Sequence, residues 1–247
     1  MFRHQGKTRT LKHNLRVAAL LSFVAGNVNV IGFLAVQKLT TNVTGHFAFF
    51  VDEFFKLNIW QAIVYFIYIL CFLSGSFISN FIVEIISRKS ERYIYIVPVI
   101  LESIILFVIA VASEKFIALH PHLIACSLLF SMGLQNSLVT QISNSMVRTT
   151  HLTGLFTDLG IELSQLIFYK TPEQKQKLRS SIKLRLLIIT FFFIGGICGG
   201  VLYSKTSNLS LLLSVAVLII GLVYDNIKFR LISLTRKLSA SEEGKNK

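Results

Sequence analysis

Six stretches of this chain, at 15–36, 59–83, 94–113, 123–142, 186–204 and 209–224, run on with almost no charged residue. An apolar helix of about 20 residues crosses the roughly 30 Å hydrocarbon core of a bilayer. At 53% hydrophobic residues and a mean hydropathy of +0.65, the chain carries more apolar side chain than one water-soluble core buries. The pattern predicts an all-α polytopic membrane bundle of six transmembrane helices, forming a single membrane domain over 1–247. The first stretch is longer than the apolar region of a cleavable signal, and no small-residue cleavage site follows it, so it reads as a retained span.

A formal net charge of +13 first suggests a nucleic-acid partner, but its placement argues otherwise. The segments 1–16, 84–93, 144–185 and the tail after 224 hold 21 of the 25 Lys and Arg residues; only Lys38, Lys56, Lys115 and Lys205 lie elsewhere. Positive residues stay on the cytoplasmic face. Both termini are therefore expected in the cytoplasm, with 1–14 and 226–247 as tails. The surplus charge is expected to meet anionic lipid head groups. No nucleic-acid partner is expected.

The phrase "TTNVTG" at 40–45 returns as "TTHLTG" at 149–154. Over the 14 positions that begin there, six pairs are identical at an offset of 109: Thr40/Thr149, Thr41/Thr150, Thr44/Thr153, Gly45/Gly154, Phe47/Phe156 and Glu53/Glu162. At the same offset Asn27 falls on Asn136. Two repeats follow, one at about 15–113 and one at about 123–224. Each comprises a long helix, the TTxxTG phrase, a short amphipathic helix and two more helices. Three crossings per half is an odd number, so the second half inserts upside down, giving the inverted internal repeat found in many secondary transporters. If each phrase instead crossed the bilayer there would be eight spans, and the basic loop "SRKSER" would lie outside, against the charge rule.

After each phrase the chain turns amphipathic, which predicts two short amphipathic or re-entrant helices. Thr44 and Thr153 stand where helix N-caps are expected, each followed by a glycine that permits close approach. Two readings stand side by side: ordinary capped interfacial helices, or a ligand site built by Thr40, Thr41, Thr44, Gly45 and their counterparts Thr149, Thr150, Thr153, Gly154, with Asn27 and Asn136. Glu102 lies mid-span, where an ionised carboxylate costs on the order of 3 kcal/mol. It is neutral, paired or facing a wet cavity, and with Asp158 and Glu162 it is a candidate for proton or ion coupling. "GGICGG" at 195–200 sets Gly195 and Gly199 at GxxxG spacing, for close packing within the bundle or in a homo-oligomer.

No HExxH, GxSxG or Walker-type motif occurs, so no catalytic residue, metal or cofactor is expected. The function expected is secondary transport of a small solute, with proton coupling through Glu102. The alternative is a non-transporting scaffold or partner subunit.

The segments "HNLRVAALLSFVAGNVNVIGFLAV", "TTNVTGHFAFF" and "MGLQNSLVTQISNSMVRTTHLTGLFTDLGIEL" resemble the YoaK-type family of bacterial multi-pass membrane proteins, over nearly the whole chain. The resemblance implies a bacterial inner-membrane protein. It transfers no functional residues, since that family has no settled activity.

Overall fold

The structure is a computed structural model that describes residues 11–88, 95–143 and 147–224. The expected tails, apart from residues 11–14, lie outside these, as do residues 89–93 of the basic loop at 84–93 and Asn144. The helices are α1 (Leu11–Val36), α2 (Val43–Phe55), α3 (Ile59–Ser87), α4 (Ile96–Val111), α5 (Glu114–Leu119), α6 (Pro121–Ile142), α7 (Leu152–Phe168) and α8 (Pro172–Thr206). A 3-10 turn at Ser207–Leu211 leads into α9, residues 212–224.

Apolar sequence alone makes such helices obligatory in lipid, where each backbone N–H and C=O must be satisfied within its own segment. Pro121 and Pro172 open α6 and α8 at positions whose N–H has no intrahelical partner in any case. Four helical stretches are long and apolar enough to cross a membrane: His13–Val36, Ile59–Ser87, Pro121–Ile142 and Pro172–Tyr224. The expected third span is shorter than predicted, since α4 has 16 residues, about 24 Å at 1.5 Å per residue. The fifth and sixth fall within one apolar run, but the chain reverses between them. Ser207 adopts φ 50°. The Tyr224 hydroxyl then lies 3.5 Å from Arg16 Nη1 at the start of α1, while Ser214 reaches Asn27 farther along it. Outward apolar side chains such as Phe77 (65% exposed) and Ile197 (65%) have no protein cover. They suit lipid, and this is an integral membrane protein.

Two glycine crossings hold the bundle. At the first, α1 meets α8: a β-carbon on Gly26 would lie 1.9 Å from the Phe192 carbonyl oxygen, and one on Gly195 would lie 2.0 Å from that of Phe23. At the second, α3 meets α6: Gly75 abuts the Phe130 carbonyl at 2.0 Å, and Gly133 that of Phe72 at 2.1 Å, measured in the same way. Each helix thus presents the same Phe-x-x-Gly quartet, carbonyl outward and glycine receiving. Gly195 and Gly199 are accordingly turned to α1 of their own chain, where Gly199 faces Asn27, rather than out toward a second copy.

Helix directions follow from side-chain contacts. Lys38 sits 5.4 Å above the Tyr65 ring, so α3 starts where α1 ends. Tyr68 bonds His122 at 2.5 Å and Ser76 bonds the Gly133 carbonyl at 3.1 Å, so α3 and α6 run parallel. Hence α1 and α6 point in opposite directions. Asn208 donates to the carbonyls of Ile109, Ala110 and Ala112 at 3.2, 2.7 and 2.8 Å, satisfying the open C-terminal end of α4 and fixing the reversal there.

Replacing Gly133 or Gly195 by Val forces two backbones apart. Overpacking of this kind costs about 1–3 kcal/mol, so thermal unfolding in detergent is expected at distinctly lower temperature. Gly154→Ala and Gly160→Ala, which meet nothing within 4 Å, are expected to leave the transition where it is.

Candidate functional site

The end of α1 does not lead straight out. Gln37, at φ 53°, turns the chain back, and the next residues descend along the helix they have just left. The Thr40 hydroxyl donates to the Val28 carbonyl at 3.3 Å, and the Thr41 hydroxyl to Asn29 Oδ1 at 2.6 Å. Asn29 lies two turns before the end of α1, about 10 Å along its axis, so the first TTxxTG turn re-enters the bundle. Gly32 makes room for it, because a β-carbon there would lie 2.5 Å from Thr40 Oγ1. The N-cap of α2 is Asn42, whose side chain accepts from the Gly45 N–H at 2.9 Å, and not the expected Thr44. An Asx side chain reaches the third N–H as well as a threonine does, and that leaves Thr44 within the first turn.

The second phrase repeats the fold-back on α6. Asn136 donates to Thr150 Oγ1 at 2.7 Å and accepts from Thr149 Oγ1 at 3.2 Å. Gln135 donates both to Thr149 Oγ1 at 3.3 Å and to the Leu21 carbonyl at 3.0 Å, tying this turn to α1. The N-cap of α7 is His151, without a side-chain cap bond, so Thr153 is again inside the helix rather than capping it.

Since α1 and α6 are opposed, the two turns enter from opposite ends of the bundle, and both reach one cavity of about 1200 Å³. Thr41, Thr44 and Gly45 line it from one side, Thr150, Thr153 and Gly154 from the other. Thr40 and Thr149, both fully buried, anchor the turns behind this wall. Asn29 and Ser76 add amides and hydroxyls, and Arg148, Asp158 and Arg185 add charge. Arg185 holds Asp158 at 2.7 Å and Glu162 at 2.9 Å, and Ser181 donates to Glu162 at 2.5 Å. The other short helix, α2, meets α3 through the Phe49 and Tyr65 rings, 5.2 Å apart and outside the cavity lining.

The remaining candidates fall elsewhere. Asn27 is buried away from the cavity, donating to the Gly195 carbonyl at 3.4 Å and accepting from Ser214 at 2.8 Å. Its expected equivalence with Asn136 is therefore corrected: Asn29 is the residue that pairs with a phrase threonine as Asn136 does. The sequence signal is Phe-x-x-Gly-x-x-Asn, at 23–29 and again at 130–136, an offset of 107 rather than 109. Asn136 stands one layer behind the wall, through Thr150. Glu102 is fully buried on α4, with both carboxylate oxygens unpartnered among the described residues, and it does not line the cavity. Arg148 and Arg185 had no distinguishing sequence pattern.

The family model described as "Protein of unknown function (DUF1275)" matches residues 17–224. The chain is similar to the UPF0700 transmembrane protein YoaK of Bacillus subtilis (strain 168), with 29% identity over 187 residues, 72% of this chain and 79% of that protein. No solved structure matches.

Asn136→Leu is expected to lower unfolding stability by about 1–2 kcal/mol through loss of its bonds to Thr149 and Thr150 of the turn, and Asn42→Ala by about 1 kcal/mol through loss of the cap; thermal melts of each variant measure both. His151 adds a pH term. Desolvation at the cavity wall, and then the Arg148 guanidinium, hold its imidazole below the usual 6.5. The unfolded chain binds that proton more readily, so this contribution is intact above pH 6.5 and declines as the pH falls below it. His151→Asn is expected to flatten that part of a melting-temperature profile against pH.

Proposed function

The chain belongs to the DUF1275 family of proteins of unknown function, and from that premise we propose that it carries a small polar solute across the membrane through the cavity between its two TTxxTG turns. The observation that carries this reading is convergence. Two phrases 109 positions apart, each folded back on an asparagine of the preceding helix, meet at one cavity from opposite ends of the bundle. Cavities at mid-depth, approached by discontinuous helices from both sides, are where secondary transporters hold their cargo.

In this reading α1–α4 and α6–α9 are inverted repeats and the chain crosses six times. Both termini lie on the basic, cytoplasmic face of a bacterial inner membrane. The four Phe-x-x-Gly quartets support the repeat: Phe23 and Gly26 correspond to Phe130 and Gly133, and Phe72 and Gly75 to Phe192 and Gly195. The hydroxyls of Thr44 and Thr153 contact the solute, with Asn29 and Ser76 completing the polar lining. The Arg185–Asp158–Glu162 group closes one end. Glu102 carries a coupling proton: its unpartnered burial suits a carboxyl that is protonated in this state. A scaffold docking through the glycine-rich stretch is the weaker reading, because that stretch is occupied by α1 of the same chain.

A metabolite panel screened for thermal stabilisation of the purified protein tests the site. Thr44→Val with Thr153→Val, whose hydroxyls make no side-chain bond among the described residues, is expected to keep the basal melting temperature and lose the solute-induced rise. An undiminished rise excludes these turns as the site. Glu102→Gln is expected to retain that rise and abolish the pH dependence of uptake into proteoliposomes. For topology, cysteines at Thr171 and Ser207 are expected to label from opposite faces.

A further inference from the structure

A second concavity, of about 700 Å³, runs along α8 before that helix enters its apolar part, and Lys170, Lys175, Arg179 and Lys183 line it together with Gln176 and Ser180. Lys175, Arg179 and Lys183 recur every fourth residue and so share one face of the helix. No carboxylate lines the groove. Among the described residues, the ion pairs involve Lys56 and Arg185 and none of these four cations. Like charges gathered this closely repel one another, so an anion between them removes a cost as well as adding attraction.

Depth identifies the anion. The uncharged part of α8 begins at Leu186, which places Lys183 about 5 Å, Arg179 about 10 Å and Lys175 about 16 Å outside it along the axis. The headgroup layer extends roughly 5–8 Å beyond the hydrocarbon on each side. Lys183 stands within that layer, Arg179 just beyond it, and Lys175 within about a Debye length of it.

We infer that this groove binds the phosphate headgroup of an anionic phospholipid, with Lys183 and Arg179 as its contacts and Lys175 adding its charge from just outside. The site is separate from the solute cavity and does not depend on it. Each cation near a membrane surface contributes roughly fivefold to retention of an anionic lipid, so three contribute on the order of a hundredfold.

The test uses the full chain in nanodiscs of phosphatidylcholine alone or mixed with phosphatidylglycerol, reading melting temperature and, by native mass spectrometry, retained lipid. The wild type is expected to melt higher with phosphatidylglycerol and to keep a bound copy. The triple variant Lys175→Gln, Arg179→Gln, Lys183→Gln is expected to lose the rise and to retain the lipid about a hundredfold less well. The triple Lys38→Gln, Lys115→Gln, Lys205→Gln is expected to behave as wild type. Should the first triple fail to fold in neutral discs, the single Arg179→Gln is expected to weaken retention about fivefold, and Lys175→Arg with Lys183→Arg to preserve it. Equal losses in the two triples, no difference between lipids, or the same rise from inorganic phosphate in neutral discs would each overturn the proposal; the last would identify a soluble-anion site instead.

Discussion

A backbone carbonyl set against a glycine is the contact on which the rest of this molecule depends. Inside lipid, apolar side chains gain little by leaving one apolar surrounding for another, so helices hold together chiefly through close van der Waals fit and interhelical hydrogen bonds. Gly26, Gly75, Gly133 and Gly195 each surrender the space of a β-carbon to the carbonyl of a phenylalanine on the facing helix. The fit is reciprocal at both crossings, so each is held at two points. The α1·α8 and α3·α6 pairs that result are the most extensive helix contacts of the fold, and the cavity between the two turns lies among them.

A chain that turns back into a membrane bundle exposes backbone groups that neither helix nor water satisfies. The paired threonines pin each such turn to its helix through their side chains. Their first members, Thr40 and Thr149, are wholly buried and bond the helix just left. The second members, Thr41 and Thr150, each engage an asparagine on that helix while one side remains open to the cavity. Thr44 and Thr153 fall inside the first turns of α2 and α7 rather than at their N-caps. The early positions of the phrase thus serve the fold.

The two short helices are held to their neighbours by different chemistry. Aromatic faces, Phe49 against Tyr65, hold α2 to α3. Charge, Arg185 between Asp158 and Glu162, holds α7 to α8. An exposed ion pair weakens with added salt and a ring contact does not, so the two attachments respond to different conditions.

Uncharged stretches, a repeated hydroxyl-rich phrase and the placement of lysine and arginine made the helical membrane bundle and its two short amphipathic helices legible from sequence, because lipid leaves an apolar chain no other backbone solution. The candidate turns were legible for the same reason: small polar groups among apolar ones are costly unless they are used. What remained hidden was registration. The phrases align at 109 and the helices before them at 107, so identity alone drew attention to Asn27, whereas folding the chain back on α1 selected Asn29. The N-caps, the part of the fold each glycine serves and the distance of Glu102 from the cavity were also beyond one-dimensional reading. Each is fixed by which helix lies opposite, and that follows from mutual fit between segments far apart in the chain. Sequence by itself determined that this chain crosses a membrane as helices and says something twice. Only the tertiary structure decided that the two statements face each other, because the crossing of four glycines sets where they meet.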